Sequence, residues 1–137
     1  MGNTADILII DDDRDLVDSM RIILESKAYE VRSAYNAKEG YVEMERKNPD
    51  VIILDVMMST DTDGFDLAYK LKNSPDHRDI PILMLSSFPQ KMAEKGPESF
   101  QHILGEGWPV TEFHEKPIDP DDLLDAVEDI LREEGRI

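Results

Sequence analysis

Apolar residues are arranged along the chain in two patterns, one typical of strands and one typical of helices. Runs rich in apolar and β-branched residues predict five strands, at 5–10, 29–34, 51–54, 80–85 and 112–114. Helical spacing of apolar positions predicts helices at 14–27, 36–47 and 65–72, and a last helix that begins after Asp119. Strands that alternate with helices indicate an α/β fold with a five-stranded, doubly wound parallel sheet.

The stretch 88–111 does not follow either pattern. It contains three prolines and three glycines, so at most two short helices fit into it. The region between the fourth and fifth strands is therefore predicted to be lengthened. The chain has no linker, internal repeat or low-complexity tract, and 1–137 is expected to be a single domain without an output domain.

Helix starts carry local signals of their own. Asn36 and Glu39 have the spacing of a helix N-cap pair. Asp119 followed by Pro120 is typical of an N-cap residue with proline at the first helical position. Asp13 also follows a strand and precedes a helix. We therefore assign Asp13 a structural role as the start of the first helix.

Charge narrows the choice of partners. The 137 residues include 15 Lys and Arg against 31 Asp and Glu, a formal net charge of −16. The chain has no basic cluster, which argues against direct nucleic-acid binding and against anionic membrane surfaces. No apolar run approaches the roughly 20 residues of a membrane span, so membrane insertion is not expected. The absence of cysteine fits a cytoplasmic protein.

Polar residues with related chemistry follow the predicted strands. Asp11 and Asp12 come after the first strand, Asp55 after the third, Ser86 after the fourth and Lys116 after the fifth. In an open parallel sheet, ligands bind beyond the carboxyl ends of the strands. Three carboxylates brought together repel one another unless a cation binds, and oxygen ligands without His or Cys suit Mg²⁺. Mg²⁺ and the Lys116 ammonium would balance the three negative charges.

Five segments, in this order and each near a strand end, resemble the receiver domain of bacterial two-component response regulators, the CheY-like or flavodoxin-like (βα)₅ fold. The segments are 7–13, 50–58, 63–65, 81–87 and 115–117. The resemblance implies that Asp55 accepts a phosphoryl group from a partner's phosphohistidine. It also implies that Mg²⁺ is bound directly by Asp12, mostly through water by Asp11, and by the backbone carbonyl of Met57.

The same resemblance implies roles in switching. Ser86 would hydrogen-bond the phosphoryl oxygen, Lys116 would pair with the phosphoryl group, and Pro117 would follow a cis bond. Phe113 matches an aromatic switch position, and the face that would change its affinity is built by a helix within 88–111, the fifth strand and the last helix. Trp108 marks an interaction surface, since tryptophan is enriched at interface hot spots.

Two apolar residues bear on the lifetime of the phosphoryl group. Met57 and Phe88 lie two positions after Asp55 and Ser86, where the family lines the path of the hydrolytic water. Neither side chain can orient a water molecule, so a long-lived aspartyl phosphate is expected.

The expected function is that of a stand-alone receiver, phosphorylated by a sensor histidine kinase or a histidine phosphotransfer protein, that changes its affinity for a downstream protein. It would catalyse only its own phosphorylation and dephosphorylation. The alternatives are a phosphorelay intermediate, an unphosphorylated interaction domain and a Mg²⁺-dependent phosphohydrolase. The last requires an acid two positions after the nucleophile, where this chain has Met57. A Gly-rich nucleotide-binding loop after the first strand is absent.

Overall fold

A computed structural model describes residues 5–55, 63–86, 112–116 and 118–136. Five strands and four helices are assigned within these ranges. In chain order they are β1 (Asp6–Ile10), α1 (Arg14–Glu25), β2 (Glu30–Ala34), α2 (Ala37–Arg46), β3 (Val51–Asp55), α3 (Asp63–Lys72), β4 (Ile82–Ser86), β5 (Glu112–Glu115) and α4 (Pro120–Glu133). Each predicted strand is present within two residues of its expected start, and α4 is the predicted last helix. The stretch 88–111 lies outside the described residues.

The strands form one parallel sheet in the order β2-β1-β3-β4-β5. β1 therefore lies between β2 and β3, and Ile10 at its end pairs with both Ala34 and Leu54. This arrangement confirms the predicted doubly wound α/β fold. The strand order reverses between β1 and β3, the position where open α/β sheets bind ligands outside their carboxyl ends.

Both faces of the sheet are covered by helices. Alternate residues of a strand point to opposite faces, so Leu8 and Ile10 of β1 join one core and Ile7 and Ile9 join the other. The first core packs against α2 and α3, and the second packs against α1 and α4. Burial on both faces explains why β1 and β3 are continuous apolar runs without alternation.

The helix starts confirm the capping signals in part. Asp13 accepts a hydrogen bond from the backbone N–H three residues along, at 3.1 Å. Asn36 accepts one from the N–H of Glu39, at 2.8 Å, and the Glu39 carboxylate accepts one from the N–H of Tyr35, at 2.9 Å. Asp119 precedes α4 as expected, but its side chain forms no capping hydrogen bond.

The amino-terminal edge of the sheet contains a buried ion pair that the sequence pattern does not indicate. Asp6, the first residue of β1, is buried, and its carboxylate lies 3.0 Å from Nε of Arg32 on β2. Arg32 also donates to the backbone carbonyls of Glu43 and Lys47, at 2.9 and 2.8 Å. These contacts fix β2 to the end of α2, at the opposite edge of the sheet from Asp11.

Among the described residues, no helix is long and apolar enough to cross a membrane.

Candidate functional site

Three aspartates meet at the carboxyl ends of β1 and β3. Asp11 and Asp12 directly follow β1, and Asp55 is the last residue of β3. One carboxylate oxygen from each lies within 4.8 Å of the others. Asp11 and Asp55 are 2% and 4% exposed, whereas Asp12 is open to solvent. The predicted convergence of these carboxylates at one edge of the sheet is confirmed.

Lys116 lies between the two buried carboxylates. It directly follows β5, and its Nζ is 2.8 Å from Oδ2 of Asp11 and 3.3 Å from Oδ1 of Asp55. Burial by itself lowers the pKa of Lys116, but the hydrogen bond to Asp11 and the charges of Asp11 and Asp55 raise this pKa above 10.5. The side chain therefore carries a full positive charge at neutral pH.

The two oxygens of Asp11 are both engaged. Oδ2 accepts from Lys116, and Oδ1 accepts from the backbone N–H of Asp13 at 2.9 Å. The N–H of Asp11 donates to the carbonyl of Ala34 at 3.1 Å, which ties this residue to the end of β2. By contrast, Asp12 forms no hydrogen bond or ion pair within the described ranges of the chain. Asp12 thus has the carboxylate most accessible to a ligand from solvent.

The donor set fits a hard divalent cation. All three side chains offer carboxylate oxygens, the ligand type that Mg²⁺ prefers. The three carboxylates and Lys116 leave a net charge of −2 in a site with two almost fully buried members. A divalent cation would neutralise that charge, so Asp11, Asp12 and Asp55 are the side chains that would hold it.

Other residues singled out in the sequence are described only in part. Ser86 ends β4 and is paired with Glu115 of β5, and Phe113 is paired with Met84. These pairings place the Ser86 backbone at the same edge of the sheet as Asp55. Four predicted site residues lie outside the described ranges: Met57, Phe88, Trp108 and Pro117.

Two residues near the site were not singled out in the sequence. The guanidinium carbon of Arg14 lies 3.9 Å from the ring centroid of Tyr35, a cation–π contact between the first residue of α1 and the residue after β2. Both positions follow strand ends, which is the signal that selected the aspartates. Their contact depends on β2 lying beside β1, and a local pattern does not contain that information.

Comparisons with known proteins agree with this geometry. The sequence model of the response regulator receiver domain matches residues 7–128. A 14.6 kDa protein from the sodA1 3′ region of Leptolyngbya boryana is 32% identical over 90% of this chain and 87% of its own length. The DNA-binding dual master transcriptional regulator RpaA of Synechocystis is 34% identical over 96% of this chain. The match covers 51% of RpaA, so this chain spans about half the length of that relative.

Solved structures show the same fold. The chemotaxis response regulator CheY4 of Vibrio cholerae superposes with a TM-score of 0.77 at 29% identity, over 93% of this chain and 99% of CheY4. Receiver domains of two-component systems are typically phosphorylated on an aspartate and bind Mg²⁺ at an acidic pocket. They are generally non-enzymatic signalling domains, phosphorylated by histidine kinases or phosphotransfer proteins. The fold, the acidic site and the match over residues 7–128 lead to one conclusion: the chain belongs to the response regulator receiver domain family.

Proposed function

We propose that this chain acts as a receiver that accepts a phosphoryl group on Asp55 from a partner histidine kinase and then changes its affinity for a downstream protein. One observation carries the proposal. The Asp55 carboxylate is buried at the end of β3, 3.3 Å from the Lys116 ammonium and within 4.8 Å of the carboxylates of Asp11 and Asp12. A nucleophile, a fixed cation and metal ligands in one place are the parts that phosphoryl transfer uses.

In the proposed reaction, an Asp55 carboxylate oxygen attacks the phosphorus of the donor's phosphohistidine. The new O–P bond forms as the P–N bond breaks, and that bond's electron pair stays on the imidazole nitrogen. Mg²⁺ held by Asp11, Asp12, Asp55 and the Met57 carbonyl would neutralise charge on the transferred group. Lys116 keeps its proton at neutral pH because its pKa is raised, so its ammonium can donate to the phosphoryl oxygens.

The two metal-facing aspartates would act differently. Asp11 uses both oxygens on Lys116 and on the N–H of Asp13, which supports contact with the metal through water. Asp12 is exposed and has no such bonds within the described part of the chain, which supports direct ligation. Asp11 would therefore mainly position Lys116, whereas Asp12 would bind the ion directly.

The proposed switch starts where the new charge arrives. A phosphoryl group on Asp55 would compete with the carboxylates for Lys116 and would draw Ser86 toward it. Phe113 then changes rotamer, and the interaction surface that Trp108 marks in the sequence changes its affinity for a downstream protein. A cytoplasmic location is proposed with this role, and it is supported by the absence of cysteine.

The test is the intact mass of the protein after incubation with Mg²⁺ and acetyl phosphate. We expect the wild type to gain one phosphoryl mass and Asp55→Asn to gain none. Addition of EDTA before the donor should abolish the gain. Repeated turnover of the donor without a phosphorylated protein would favour the phosphohydrolase, and no gain in mass with acetyl phosphate or with any histidine kinase would favour an unphosphorylated interaction domain.

A further inference from the structure

Among the residues that the structure describes, Arg14 has no acidic partner, although the protein is strongly acidic. Acidic residues outnumber basic ones by 31 to 15, and most arginines form ion pairs in the described part of the chain. The paired ones are Arg21, Arg32, Arg46, Arg132 and Arg136. Within the same ranges Arg14 is paired with no carboxylate, and its recorded contact is the Tyr35 ring. Its N–H groups therefore remain available to a ligand.

The contact between Arg14 and Tyr35 lies beside the proposed phosphorylation site. Arg14 follows Asp13, whose N–H donates to Asp11, and Tyr35 follows Ala34, whose carbonyl accepts from Asp11. The cation–π contact thus joins the two chain segments that hold Asp11 from either side. Because both segments leave the carboxyl edge of the sheet, the guanidinium lies at the rim of that edge, on the β2 side of Asp11.

The chemistry of this arrangement suits an incoming anion. A guanidinium that packs its face on an aromatic ring keeps its in-plane N–H donors free, and their fork matches two phosphoryl oxygens. The aspartates and Lys116 together carry a net charge of −2 before a metal binds, in a chain with a net charge of −16. The acidic surface around the site repels anionic substrates, and a cation at the rim reduces that repulsion.

We propose that Arg14, held over Tyr35, binds small anionic acyl phosphates at the rim and so raises the rate at which they phosphorylate Asp55. This inference rests on the proposed function, since it assigns a donor-binding residue to the same site. Arg14 acts on entry of the donor, so it should affect the phosphorylation rate and leave the lifetime of the aspartyl phosphate unchanged.

The test compares initial phosphorylation rates with acetyl phosphate and Mg²⁺ at low and high ionic strength. Arg14→Ala should reduce the rate at low salt about two- to fivefold, the effect of one exposed charged contact. At about 1 M salt, where charges are screened beyond roughly 3 Å, the difference should largely disappear. Arg14→Lys should retain part of the rate, and Tyr35→Leu should lose part of it because the guanidinium is no longer held.

Arg78→Ala is the matched control. Arg78 is exposed, precedes β4 at the opposite edge of the sheet, and its removal changes the net charge by the same amount. A rate for Arg14→Ala equal to that of Arg78→Ala would overturn the inference while leaving the proposed function intact. A shortened phosphoryl lifetime that accounts for the whole effect would also overturn it. A wild type that gains no phosphoryl mass would overturn both.

Discussion

The substitution Asp55→Asn probes the charge balance of the site before any reaction takes place. At an effective dielectric constant of about 20, Lys116 attracts Asp55 across 3.3 Å by about 5 kcal/mol. Repulsion by the buried Asp11 within 4.8 Å is about 3.5 kcal/mol, and the exposed Asp12 adds about 1 kcal/mol because solvent screens it. Attraction and repulsion among these four charged side chains therefore almost cancel.

The loss of hydration then decides whether the substitution stabilises or destabilises the protein. Asp55 is 4% exposed, and a buried carboxylate loses several kcal/mol of hydration, whereas a neutral amide loses less. We expect Asp55→Asn to raise the free energy of unfolding by about 1–3 kcal/mol in EDTA. Mg²⁺ should stabilise the wild type more than the variant. An ion that binds only the folded state stabilises it by about 2.7 kcal/mol at a hundred times its dissociation constant, and the variant has lost one carboxylate ligand.

Urea unfolding followed by circular dichroism, in EDTA and in excess Mg²⁺, measures both effects. Asp18→Asn is the control, because Asp18 is an exposed residue of α1 and its substitution should change stability by no more than about 0.5 kcal/mol. An Asp55→Asn variant that is less stable than the wild type in EDTA, or equal stabilisation of both proteins by Mg²⁺, would contradict this charge balance.

Three further predictions concern stability and lifetime. Lys116→Met should lower the free energy of unfolding in EDTA by about 1–3 kcal/mol. Since folding raises the pKa of Lys116, this difference should be complete below pH 10.5 and vanish as the pH rises through the folded pKa. Urea unfolding at pH 7 that shows no difference would contradict this expectation. Gly40→Ala places a methyl group 2.5 Å from Cδ1 of the buried Ile10. The destabilisation from overpacking, about 1–3 kcal/mol, should outweigh the gain in helix propensity, about 1 kcal/mol. A more stable variant in the same assay would show that Ile10 moves aside. Because the side chains of Met57 and Phe88 cannot orient water, the aspartyl phosphate should persist well beyond seconds after the donor is removed. Met57→Asn should shorten this lifetime, which intact-mass measurements over time would follow. A wild-type lifetime of seconds would disprove this expectation.

Local sequence patterns were sufficient for most of the secondary structure. Asp13 and Asn36 mark the starts of α1 and α2 because side-chain capping depends on residues only three positions away. The runs in β1 and β3 are apolar throughout because helices cover both faces of the sheet. The convergence of Asp11 and Asp55 followed from the rule that strand ends share one edge.

Contacts between distant segments could not be predicted in this way. The Asp6–Arg32 ion pair and the Arg14–Tyr35 contact both require β2 to lie beside β1, and periodicity does not determine strand order. His77 is buried, and its Nδ1 lies 3.0 Å from the side-chain oxygen of Asn48. That partner lies 29 residues away, on the connection before β3.

If Asp55 is the phosphoacceptor, the phosphoryl group must be found on residue 55, and chemical reduction can locate it. The protein would be phosphorylated with acetyl phosphate and Mg²⁺, treated with borohydride, which reduces an acyl phosphate to an alcohol, and then digested and sequenced by mass spectrometry. We expect homoserine at position 55 and aspartate at positions 11 and 12. Homoserine at another position, with Asp55 unchanged in a protein that had gained one phosphoryl mass, would contradict it.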